Sequence, residues 1–168
     1  GYELCFGISE YGNNTYTFSY TVTGLVGTYT DGYDGFLFQF VNPGMSVFPT
    51  NVTLRILAPE GTVLSADNSG IWAFGYEGTI VFDNGTVLAQ TDSPLDGSSS
   101  SCIIMLRLDS GLLTPHRVAG GSFEQLKQNA FRGSSYEEVP HKLTFMDVIM
   151  YIIMGLFALL IAALVIGT

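Results

Sequence analysis

The groups in this sequence that could do chemistry are few and widely spaced. Cys5 and Cys102 are the only thiols, and both histidines, His116 and His141, lie beyond residue 110. Asn13, Asn51 and Asn84 sit in N-x-Ser/Thr frames (NNT, NVT and NGT), the acceptor pattern for N-linked glycans. Asp31 and Asp34 stand close together in TDGYDG, where two carboxylates and backbone carbonyls would make a donor set for calcium. Asp-Gly pairs also recur in turns for conformational reasons alone.

Little of this suits turnover. With no imidazole before residue 111, no Ser/His or Cys/His pair can be drawn from that part of the chain. HExxH, CxxC and a phosphate-cradling glycine loop ahead of a helix are all missing from the sequence. A non-enzymatic protein is expected, without catalytic residues, metal site or cofactor. The cysteines are read instead as a disulfide joining Cys5 to Cys102. Closing a loop of about 100 residues contributes up to ~4.7 kcal/mol in the chain-entropy picture; two separate buried thiols are the alternative.

The longest physical signal is at the other end. Val148 to Ile166 (VIMYIIMGLFALLIAALVI) contains no charge and no proline, and as a helix it would be about 28 Å long. That matches the ~30 Å hydrocarbon core of a bilayer, so a single transmembrane helix is predicted. Within it and just after it, Gly155, Ala158, Ala162, Ala163 and Gly167 include two small-xxx-small pairs, a spacing that lets helices approach closely where lipid supplies no hydrophobic drive. Other membrane protein subunits and the lipid bilayer are the partners this implies.

The start at Gly1, the three sequons and the cysteine pair all favour a head that is extracellular or in the secretory-pathway lumen. The flanking charges argue the other way. Lys127, Arg132 and Lys142 precede the hydrophobic run and only Gly167 and Thr168 follow it, which on the positive-inside rule would keep the head in the cytosol. A glycolipid-anchor signal, with Gly133-Ser134-Ser135 as its small-residue site, is a third possibility.

Charge narrows the partners further. Residues 1–110 hold eleven acids against Arg55 and Arg107, and the whole chain has a formal net charge of −9. An acidic head repels phosphate backbones and anionic headgroups, so no nucleic acid is expected as a partner.

The elements that must position these groups are mostly strands. Only 12% of residues are charged, too few for long surface helices. Tyr16, Phe18, Tyr20 and Val22 alternate with Thr or Ser across Thr15–Thr23, and Val52, Leu54 and Ile56 alternate likewise, the period of a half-buried strand. Tyr2–Ile8, Phe36–Val41, Ile71–Tyr76 and the nearly continuous apolar Cys102–Leu108 are further strands. Pro59-Glu60-Gly61 suggests a hairpin from Val52–Ile56 into Thr62–Leu64. Asp83-Asn84-Gly85 suggests another between Thr79–Phe82 and Thr86–Gln90. Gly24–Gly35, broken by glycines, reads as a loop with a short strand in it. Tyr29, Tyr33 and Trp72 are either core or a sugar- or protein-binding surface.

The fold class predicted is all-β: an antiparallel β-sandwich, immunoglobulin-like in general build, followed by a short linker helix and one C-terminal transmembrane α-helix. The sandwich spans 1–110, a juxtamembrane linker 111–147 and the membrane helix 148–166. Within the linker, Ser122-Phe-Glu-Gln125 resembles a capping box opening an amphipathic helix to about Arg132. Its apolar side of Phe123, Leu126 and Ala130 rests either on lipid or a partner, or beneath the sandwich. The function expected is that of a single-pass membrane glycoprotein, an accessory or structural subunit of a larger membrane assembly. The alternative is a cell-surface adhesion or ligand-binding receptor that uses the sandwich loops.

Overall fold

A computed structural model describes residues 12–45, 47–59 and 61–134. The predicted strand Tyr2–Ile8, Cys5, His141, the hydrophobic run 148–166 and the helix-packing residues Gly155, Ala158, Ala162, Ala163 and Gly167 lie outside them. Among the described residues no helix is long and apolar enough to cross a membrane.

The described chain is all-β with one short helix. Its elements are β1 (Gly27–Thr28), β2 (Tyr33–Val41), β3 (Thr53–Ile56), β4 (Ser69–Phe74), β5 (Gly78–Asp83), β6 (Thr86–Thr91), β7 (Cys102–Asp109), β8 (Arg117–Val118) and α1 (Phe123–Phe131). They form a five-stranded sheet ordered β4-β7-β2-β1-β8 and a three-stranded sheet ordered β3-β6-β5. Every pairing is antiparallel except β1 with β8, which is parallel.

Strand periodicity explains why β7 is apolar almost throughout. Cys102, Ile104, Leu106 and Leu108 share one face and pack with residues of the three-stranded sheet, including Val87, Ala89, Ile56 and Ile80. Met105, on the opposite face, packs with Trp72, Tyr29 and Phe123 of α1. A strand covered on both sides needs apolar residues at both parities.

The helix belongs to the head. Ser122 is its N-cap, with the side-chain Oγ accepting the Gln125 N–H at 3.1 Å, as the capping motif predicts. Phe123 is 1% exposed, and Leu126 and Ala130 pack against the same cluster. The stretch after residue 110, read from sequence as a linker, thus supplies one strand and one covering helix to the fold. Of the two placements open to the amphipathic face, the structure takes the one against the sheet.

Three strand expectations are corrected. Thr15–Thr23 is not among the strands, and Tyr20 and Val22 are 70% and 44% exposed; alternation marks a face but does not supply an edge to pair with. The turn after Pro59 forms, with the Thr62 N–H donating to the Pro59 carbonyl at 3.0 Å. The hairpin does not, because β3 pairs with β6. The short strand expected within Gly24–Gly35 is β1, but β2 also begins inside that stretch, at Tyr33. Gly35 is there for space: a Cβ would fall 2.6 Å from the Phe123 ring and closer still to the Leu106 carbonyl. The β5–β6 hairpin follows expectation, with Asn84 and Gly85 at φ of 48° and 79°, the backbone that a two-residue turn of this kind requires.

Candidate functional site

A concave feature among the described residues is built by strand alternation and by two loops. On β2, Phe36 and Phe40 point toward the three-stranded sheet, as do Leu106 and Leu108 on the neighbouring β7; Ile56 of β3 and Leu64 face them. The covering sheet has only three strands, with β3 at its edge. Residues 22–26, ahead of β1, and 113–116, ahead of β8, line the cleft at that side. The result is a cavity of about 640 Å³, within the roughly 300–1,000 Å³ of small-molecule sites.

Its chemistry is simple. Among the described residues the wall is aliphatic and aromatic, with Arg55, Thr114 and His116 as its side chains capable of hydrogen bonding and no carboxylate or thiol in its lining. Arg55 Nη1 donates to Asp83 Oδ2 and Thr86 Oγ1, each at 2.9 Å. Strand alternation sets Arg55 on the opposite face of β3 from Ile56, and those two bonds occupy its guanidinium. His116 is exposed. It is brought to the head because residues 111–118 form part of the fold, which sequence reading had assigned to a linker. Such a site can enclose an apolar group.

The residues singled out from sequence are dispersed. Asp31 is exposed, and its carboxylate accepts the backbone N–H groups of Phe123 at 2.9 Å and Glu124 at 3.1 Å. Partial desolvation works to raise its pKa, but those two amides, its own amide and the positive charge of Arg107 outweigh that and hold it below the ordinary value. Asp34 is 2% exposed and accepts the Thr28 hydroxyl at 2.7 Å. The two carboxylates serve separate structural partners. Among the described residues no three His, Cys, Asp or Glu side chains gather as a metal set.

Tyr29 and Trp72 belong to the core. Tyr29 meets Phe123 edge-on at 5.2 Å between ring centroids, and Trp72 lies 6.2 Å from the same ring. Tyr33 carries the Arg107 guanidinium 4.5 Å above its ring. Asn13, Asn51 and Asn84 are all exposed. Cys102 is a buried thiol, 1% exposed, and burial pushes its pKa up to about 11; its proposed partner Cys5 lies outside the described residues. Tyr76 donates to the Thr79 carbonyl at 3.2 Å, and desolvation, with smaller effects of Cys102 and Asp92, raises its pKa.

The cleft was not legible in the sequence. Its lining comes from six separate stretches of chain, and the only signal for it was apolar alternation without a stated partner. No family model matches the chain, and neither a curated protein nor a solved structure matches it significantly.

Proposed function

We propose that this protein is a single-pass membrane glycoprotein whose head is a β-sandwich, immunoglobulin-like in general build, and whose role is that of a non-catalytic accessory subunit of a larger membrane assembly. The observation that carries this reading is the apolar tip of the β2–β3 connection. Met45, Val47 and Phe48 are 46%, 79% and 45% exposed within four residues. Apolar side chains concentrated on one exposed loop favour a protein partner over open solvent. The hydrophobic run 148–166 would anchor the head and present its small residues to other subunits. The exposed sequon asparagines are compatible with an extracellular or lumenal head bearing N-linked glycans.

Co-purification from native membranes tests this. The wild-type chain should bring a defined set of membrane proteins, and replacing Val47 and Phe48 with Ser should release them while leaving the thermal unfolding midpoint of the chain unchanged. A partner set unaffected by that replacement would remove the support this loop provides. The cleft favours a second reading, a ligand-binding receptor, although its lining is sheet and flanking segments and not the loop tips first considered.

A further inference from the structure

Three connections leave the two sheets at one end. In the five-stranded sheet Val41 and Phe74, the last residues of β2 and β4, pair with Cys102 and Ile103 at the start of β7. In the three-stranded sheet Thr53 and Gly78, the first residues of β3 and β5, pair with Gln90 and Thr91 at the end of β6. The connections 42–52, 75–77 and 92–101 join those ends, and hydrogen bonds tie them to one another. The Leu95 N–H donates to the Pro49 carbonyl at 2.9 Å, the Asp92 N–H to the Glu77 carbonyl at 2.9 Å and the Ser101 N–H to the Gly75 carbonyl at 2.8 Å. Leu95 itself is buried. The three loops form one surface.

Its exposed groups are of two kinds. Met45, Val47 and Phe48 stand out on the first connection, and Glu77, Asp92 and Asp96 are exposed on the other two. The three connections contain no Lys, Arg or His. Among the described residues none of these three carboxylates makes a salt bridge, whereas Asp83 is paired with Arg55. An apolar tip is bordered by uncompensated negative charge.

That border decides among occupants. A second copy docking by the same end in a two-fold contact would set the carboxylates of one protomer against those of the other, and like charges face to face oppose association. An anionic lipid surface is repelled by the same groups. A zwitterionic one would cover the tip and gain nothing from the acids. A protein surface with an apolar socket rimmed by Lys or Arg satisfies both kinds of group, the socket by burial and the rim by steering approach and fixing register. Asn51 follows Phe48 by three residues, up to about 11 Å of extended chain, which leaves room for a glycan at the rim.

We infer that this end of the head docks on a basic protein surface, with Met45, Val47 and Phe48 entering an apolar socket and Glu77, Asp92 and Asp96 facing Lys or Arg around it. The inference rests on the accessory-subunit reading and specifies the chemistry of the partner.

The test uses the full chain in native membranes, with photoreactive benzoylphenylalanine in place of Val47. After photolysis, peptide mapping should find position 47 joined to another membrane protein. A water-soluble carbodiimide, which condenses a carboxylate with a neighbouring amine to an amide and takes up the water released, should link Glu77, Asp92 or Asp96 to a Lys of that same protein. Neutralising the three exposed acids together, Glu77→Gln with Asp92→Asn and Asp96→Asn, should lower the photoadduct several-fold without moving the thermal unfolding midpoint. Raising salt from about 50 to about 500 mM should lower it in the wild type and much less in the neutralised chain. A photoadduct to another membrane protein that is indifferent to salt and to the triple variant would overturn the inference and leave the accessory-subunit reading in place. Adducts only to lipid, only to a second copy of this chain, or none at all would overturn the inference and remove the support this end gives to that reading as well.

Discussion

The carboxylate of Asp31 accepts the backbone N–H of Phe123 at 2.9 Å across 92 residues of sequence. With the Glu124 N–H at 3.1 Å, this bond fixes the start of α1 to the β1–β2 turn, at the positive end of the helix dipole. It also seats the Phe123 ring over Gly35. The helix is thus held at its first turn by a carboxylate and at its apolar face by an aromatic ring.

Asp31→Ala should lower stability by about 1 kcal/mol, the usual cost of a lost helix-cap acceptor, and Asp31→Asn should lose less. Because the folded state holds the Asp31 pKa below its unfolded value, the contribution is present above the unfolded value of about 3.9. It is lost as pH falls from there through the depressed folded value. Urea titrations at neutral pH and at stepwise lower pH should show the gap between wild type and Asp31→Ala closing on acidification. A gap independent of pH would mean that the carboxylate charge plays no part.

Gly35→Ala should destabilise by about 1–3 kcal/mol through overpacking, since its Cβ would meet both the Phe123 ring and the Leu106 carbonyl. Phe123→Leu in the same chain should recover part of that loss and not all of it, because the carbonyl remains. Chemical denaturation of the two single variants and the double variant measures the coupling; strictly additive losses would separate Gly35 from the helix.

Asn84 occupies the left-handed region at φ 48°, where a residue with a Cβ costs roughly 1–2 kcal/mol and Asn and Gly are the tolerated types. Asn84→Gly should be close to neutral in thermal unfolding and Asn84→Val clearly destabilising. The same residue tests orientation. Glycosidase treatment of the native protein should increase its electrophoretic mobility, by a smaller step in Asn84→Gly. No shift from the wild type would count against a lumenal or extracellular head.

Cys102 offers a redox-dependent test. Non-reducing mass analysis should show the two cysteines joined, two hydrogens lighter than the reduced chain. In the reduced chain, the thiol pKa of about 11 means the buried neutral form is favoured by folding. That stability is present below the unfolded value of about 8.5 and is lost as pH rises from there through about 11. Alkylation at pH 8 should be slow until denaturant is added; rapid modification of the folded reduced chain would contradict its burial.

What could be read in the residues themselves was local. The Asn84-Gly85 turn, the Ser122 cap and the apolar side of α1 are each written within a few neighbouring residues, and each forms as the sequence implies. Partner choice was not local. Val52–Ile56 has the pattern of a strand, but nothing within it selects β6 over the residues after Pro59. Gly35 was read as a breaker because its role depends on an aromatic ring 88 positions away. The parallel pairing of β8 with β1 is equally remote, and it draws His116 beside the cleft. His116, visible in the sequence, reads as a linker residue for the same reason.

The most direct measurement is the mass of the particle that carries this chain when native membranes are dissolved in mild detergent. The accessory-subunit account predicts a discrete assembly well above the 18.2 kDa chain, with the same membrane proteins present in each preparation and lost when Val47 and Phe48 are replaced by Ser. A monodisperse particle holding one copy of this chain and detergent alone would contradict it.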